Sequence, residues 1–65
     1  MGYAIRYSFE ECQCLDTRGL MQNIPAGIHQ VAERDAVTVW IENRTLDLNK
    51  NAFNQLKADG KAHKV

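Results

Sequence analysis

What this chain has little of narrows its function before any motif is read. It holds two cysteines, two histidines, one proline and one tryptophan among 65 residues. No stretch approaches the roughly 20 apolar residues that a membrane-spanning helix requires. The N-terminal Met1–Glu11 segment has no continuous apolar core of the kind a secretory signal carries. Gly2 follows Met1, but Arg6 breaks the pattern expected of a myristoylated terminus. The glycines at 2, 19, 27 and 60 are isolated, so there is no glycine-rich phosphate loop. Net charge is also absent, with eight basic residues against eight acidic ones. Nucleic-acid binders are more commonly basic as a whole. Two cysteines without a secretion signal indicate a reducing, cytoplasmic location, although a secreted chain already freed of its signal would read the same way.

What is present is an ordinary globular composition, 45% hydrophobic and 25% charged, which is inconsistent with a disordered tail. The length allows one domain, residues 1–65. A chain this short buries only about 60% of the surface that its unfolded form exposes. Its core is therefore small, and a partner subunit, a metal or a cross-link is a common supplement. Homodimerisation is an expectation from size alone.

The residues punctuate themselves into short β runs. Tyr3, Ile5, Tyr7 and Phe9 alternate with Ala4, Arg6, Ser8 and Glu10, the period of a strand with one apolar face. The parity slips at Cys12 and Cys14, and a β-bulge at Glu10-Glu11 would restore it; the alternative is that the strand stops at Phe9. Asp16-Thr17-Arg18-Gly19 suits a type I turn. Leu20–Ile24 is a short semi-apolar run ended by Pro25-Ala26-Gly27. Ile28–Ala32 and Ala36–Glu42 form a hairpin around Glu33-Arg34-Asp35, with Val37, Val39 and Ile41 on one face and Thr38, Trp40 and Glu42 on the other. Asn43-Arg44 is expected to turn the chain with Asn in the left-handed region, leading to Leu46 and Leu48 on a further strand. Asn49 or Asn51 caps a helix whose apolar stripe is Ala52, Phe53 and Leu56, and Gly60 ends it. Lys57 near that end complements the helix dipole. Lys61–Val65 adds an edge strand or frays.

Strands at this spacing with a short C-terminal helix resemble an SH3-like or Sm-like partly open barrel of about five strands, mostly β. The resemblance covers residues 20–60, carries no diagnostic motif and transmits no function. An α+β arrangement, an antiparallel sheet with the helix on one face, is the other reading.

Chemistry-bearing clusters are sparse. Cys12 and Cys14, with His29 and His63, are candidate zinc ligands, but one residue between the cysteines is not a familiar zinc spacing; two thiols acting as small hydrophobes is the simpler reading. Glu10, Glu11 and Asp16 surround the thiols in sequence and would raise their pKa rather than activate them. The pairs Glu10-Glu11 and Glu33/Asp35 fall in expected turns, where solvated charge is normal. No enzyme, cofactor or metal site is assigned on these grounds.

Trp40 is the residue of greatest interest. It points away from the Val37-Val39-Ile41 face, either as an interface anchor or as cover for a second small core. Tyr3 and Tyr7 are expected in the core or, alternatively, with Trp40 in an exposed aromatic strip. The candidate binding set is Trp40, Thr38, Glu42 and Arg44, with Lys57, Lys61 and Lys64 from the basic end. Residues 33–47 hold Glu33, Asp35, Glu42 and Asp47 against Arg34 and Arg44. That acidic excess favours a protein-interaction or regulatory module, with homodimerisation through Trp40 or a strand edge as one form of it. The alternative is a small barrel that binds single-stranded nucleic acid through its aromatics and Lys50–Lys64.

Overall fold

A computed structural model describes residues 5–65; Tyr3 lies outside them. The element order is β1 (Ile5–Phe9), β2 (Cys12–Leu15), β3 (Met21–Ile24), β4 (Gly27–Glu33), β5 (Val37–Ile41), β6 (Arg44–Leu48), α1 (Lys50–Ala58) and β7 (Ala62–Lys64). Five strands form one antiparallel sheet in the order β6-β5-β4-β1-β7, and β2 pairs with β3 in a second, two-stranded sheet. The main sheet thus has the five strands expected, and the β2–β3 pair adds a second, smaller sheet. No helix among them is long and apolar enough to cross a membrane.

The strand expected to continue through a bulge at Glu10-Glu11 does not do so. β1 ends at Phe9, and the chain turns out of the main sheet so that Cys12–Leu15 pairs with Met21–Ile24. A bulge repairs parity within one sheet, whereas here the parity slip marks a change of sheet. Cys14 still reaches the core because the hairpin folds beneath the main sheet. The two sheets touch on one side only: Thr17 N–H donates to the Asp47 carbonyl at 3.0 Å and Asn49 N–H to the Leu15 carbonyl at 2.9 Å. β7 is an open edge, and so is β6 apart from its bridge to Asp16 at Leu48. The fold is therefore mostly β and not a closed barrel, which accords with both a partly open barrel and an α+β sheet with one covering helix.

Local signals explain most of the connections. Asp16–Gly19 closes through the Gly19 N–H on the Asp16 carbonyl at 3.1 Å, with Gly19 at φ +85°, where a Cβ would be strained. The Asp16 side chain holds the turn from inside, accepting from the Arg18 and Leu20 backbone N–H groups and from Gln22 Nε2 at 2.8–2.9 Å. The turn after β5 falls on Glu42-Asn43, one residue earlier than expected, with Ile41 opposite Arg44. No described residue other than glycine has positive φ, so Asn43 does not supply the left-handed conformation expected of it. Asn49, not Asn51, caps α1 by accepting the Ala52 N–H at 3.0 Å.

One core lies between the main sheet on one side and α1 with the β2–β3 hairpin on the other. Tyr7, Phe9, Val31, Val37, Val39, Leu46, Leu48 and Ala62 enter it from the sheet; Cys14, Ile24, Phe53 and Leu56 enter from below. Phe53 is fully buried, with its ring 5.2 Å from that of Tyr7 in a T-shaped arrangement and 6.2 Å from that of Phe9, a geometry favoured by the aromatic quadrupoles. A helix this short is marginal alone, and this packing is what holds it.

Candidate interaction face

Strand alternation gives the five-stranded sheet two unlike faces. Odd-numbered residues of β1, β4 and β5 and even-numbered residues of β6 turn toward the core. On the other face the register aligns one rung across four strands: Thr45 opposite Trp40, Trp40 opposite Gln30 and Gln30 opposite Arg6. The neighbouring rungs are Asp47–Thr38–Ala32 and Ile28–Ser8–His63. No helix or hairpin covers this face among the described residues.

Trp40 is 44% exposed and Ile28 61% exposed. The expectation that Trp40 might cover a second core is thereby corrected: β5 is an inner strand of the sheet, and the indole stands on its solvent side. Trp40 borders a shallow concavity whose rim carries Arg6, Gln30, Glu42, Arg44 and Thr45. Arg44 reaches that rim from the inner side, where it pairs with Ile41 and donates to the Asn23 carbonyl of β3 at 3.1 Å. Thr38 shares the face and donates to Asp47 at 3.2 Å.

Sequence order misleads about the charge around Trp40. Glu33 belongs to the opposite face of β4, where its carboxylate accepts from the Tyr7 hydroxyl at 2.7 Å and from Lys57 at 3.3 Å. Those bonds hold its pKa below the usual carboxylate value, Tyr7 contributing most. Of the four acidic residues in 33–47, Glu42 lines the concavity and Asp47 stands one rung away on β6. Arg6 arrives from β1, which no local window of sequence reveals.

The basic end disperses. Lys57 lies along α1 above the Tyr7 and Phe53 rings, 5.9 Å and 5.2 Å from their centroids, and pairs with Glu33. Lys61 lines a separate groove between α1 and β2 with Cys12, Leu15 and Met21. Lys64 sits on β7 opposite Tyr7. Of the seven candidate binding residues, the fold brings Trp40, Thr38 and Glu42 to one face, sets Arg44 on the inner side opposite Ile41, and places Lys57, Lys61 and Lys64 elsewhere. Arg6, Ile28, Gln30 and Thr45 join the face without having been singled out; the strand register was the missing signal.

Tyr7 is buried, at 4% exposure, so it cannot belong to an exposed aromatic strip. Burial and the Glu33 carboxylate push its hydroxyl up to about 12. Cys14 is buried and its thiol rises to about 11, chiefly through burial and then through the adjacent Cys12. Cys12 is half-buried and also raised by burial, with Lys61 opposing. Neither thiol is activated. His29 packs against Phe9 and donates to the Pro25 carbonyl at 2.8 Å, while His63 sits on β7 opposite Ser8. No group of three metal-ligating side chains gathers among the described residues.

No protein-family model matches the chain, and no curated protein or solved structure shows significant similarity to it.

Proposed function

We propose that this chain is a non-enzymatic protein-interaction module whose working surface is the outer face of the five-stranded sheet, with Trp40 as its anchor. The observation that carries the reading is the composition of that face. Protein interfaces concentrate aromatic residues and arginine and are poor in lysine, and their energetic centres are enriched in Trp and Arg within a rim that excludes water. Here Trp40 and Ile28 form an apolar centre, Arg6, Gln30 and Thr45 surround it, Arg44 reaches only the rim of the concavity, and all four lysines lie off the face among the described residues. An antiparallel sheet can leave one face in water, but such a face is then normally polar throughout.

The nucleic-acid reading finds support in Arg6 and Arg44 beside the indole. It loses the contribution of the lysines, which do not converge on Trp40, and a base-stacking surface ordinarily offers several aromatic rings. The plan is proposed as SH3-like, in keeping with the antiparallel five-stranded sheet, the second small sheet and the late helix. Its proposed location is the cytoplasm, supported by two thiols buried or half-buried without a disulfide.

A photo-cross-linking residue placed at Thr45, beside Trp40, tests the surface. Cross-links to protein at this position, absent when the same group replaces Asn54 on the helix, are expected. Cross-links that form equally from both positions, or only to nucleic acid, would overturn the reading.

A further inference from the structure

We propose that the occupant of this face is a second copy of this chain, packed sheet against sheet about a two-fold axis that runs along the strands. The inference rests on the interaction reading above and names its partner.

The argument begins with how charge is divided across the face. Arg6 stands on the β1 side of the rung that holds Trp40, with His63 beyond it on β7. Asp47 and Glu42 stand on the β5–β6 side, while Arg44 turns to the inner side with Ile41. A two-fold axis parallel to the strands exchanges these sides. With the axis between β4 and β5, each Arg6 lies over the β6 strand of the other copy at the level of Thr45, one rung from Asp47, and each Trp40 lies over the opposing Gln30. The two Arg6–Asp47 pairs form together, because an isologous interface makes every contact twice. The chain as a whole carries no net charge, so copies approach without long-range repulsion.

The β7 edge offers a different route to self-association, and the sequence disfavours it. β7 has only three residues and is bracketed by Lys61 and Lys64, with His63 between them. Pairing two such edges would set like charges side by side, and short lysine-bearing edges are a common guard against it. The sheet face has no such guard.

Magnitude limits the strength of the dimer. Five strands about 4.8 Å apart and about 17 Å long present a face of roughly 24 × 17 Å. That is smaller than the ~800 Å² per partner of a standard stable interface. The dimer is therefore expected to be weak and to dissociate on dilution.

The test is sedimentation of the full chain over a wide concentration range, comparing the wild type with Arg6→Asp, Asp47→Arg and the double variant. Both side chains are exposed, and thermal melts confirm that each variant folds. The wild type should pass from monomer to dimer. Each single change should weaken the dimer at least tenfold, and the double change should restore it to within about threefold, since the exchanged charges again face each other. Trp40 fluorescence should become less accessible to a soluble quencher in step with dimer formation.

A wild type that stays monomeric at millimolar concentration would overturn the proposal. So would a double variant no better than either single one, or a dimer that leaves Trp40 as open to quencher as the monomer does. If the chain is monomeric while cross-linking at Thr45 still captures a different protein, the second copy is excluded and the interaction reading survives.

Discussion

The two faces of the five-stranded sheet are built from the same strands and differ in nearly everything else. The inner face is closed by Phe53, Leu56, Ile24 and Cys14, and its residues have little exposed surface. The outer face carries Trp40, Ile28, Gln30 and Arg6 and has no cover among the described residues. Stability resides on the inner face because burial of apolar area is the largest favourable contribution in so small a domain. The outer face is correspondingly free to vary, and a large aromatic there contributes little to the fold of the single chain.

The sharpest way to break this contrast is to remove the side chain that joins the helix to the inner face. Phe53→Ala should cost about 3–5 kcal/mol. A domain of this size has only about 3–10 kcal/mol in total, so loss of the cooperative unfolding transition, or a large drop in the urea midpoint, is expected.

Next in size is the tie between β1, β4 and the helix. Tyr7→Phe deletes the hydroxyl that donates to Glu33. Glu33 retains Lys57, so the expected cost is about 1–2 kcal/mol, read from the same urea midpoint.

The inner face should also reveal itself in alkali. Folding raises Cys14 from 9.0 to about 11 and Tyr7 from 10.0 to about 12. The native state keeps these protons where the unfolded chain has lost them. Their stabilisation is therefore full below the unfolded pKa values and declines as pH rises through the interval between 9 and 12. Tyr7→Phe should remove the upper part of that decline. Asp16 and Glu33 act in the opposite sense. Both are held below their ordinary carboxylate values, Asp16 chiefly by the Leu20 N–H and by Gln22. Their contribution is present above the ordinary carboxylate range, about pH 4, and is lost as pH falls below it. Urea midpoints across pH should thus form a plateau with two descending limbs, the acid one shallower in Asp16→Asn.

The smallest expected effect lies on the outer face. Trp40→Ala should change the stability of the monomer by less than about 1 kcal/mol while removing cross-linking from Thr45. A loss as large as that of Phe53→Ala would erase the distinction between the faces.

Much of this contrast is legible in the residues themselves. The alternation Val37-Val39-Ile41 against Thr38-Trp40 fixes which way the indole points, Asp16–Gly19 forms the expected turn, and Asn49 and Gly60 bound the helix. The departures are all tertiary. Glu10-Glu11 reads as a bulge because period-two alternation records parity, not which sheet a strand belongs to. The turn after β5 falls one residue early because pairing of Ile41 with Arg44 is set by the register of the whole hairpin. The acidic stretch 33–47 separates in space because Glu33 turns inward to Tyr7 and Lys57. Arg6 belongs to the Trp40 rung through two strand pairings, and single-strand patterns carry no trace of either.

The placement of β1 has a consequence for how the chain reaches this structure in time. β1 comes early in the sequence but lies inside the sheet, between β4 and β7, with Phe9 opposite both Gly27 and Ala62. Its second neighbour, β7, leaves the ribosome after every other described element. Closing so long a loop is entropically slow and is rewarded only once the helix has docked. The middle hairpins can form during synthesis, whereas completion of the sheet waits for Ala62–Lys64. Until then one edge of β1 stands unpaired, and the nascent chain is most exposed to proteolysis and to pairing with the wrong strand.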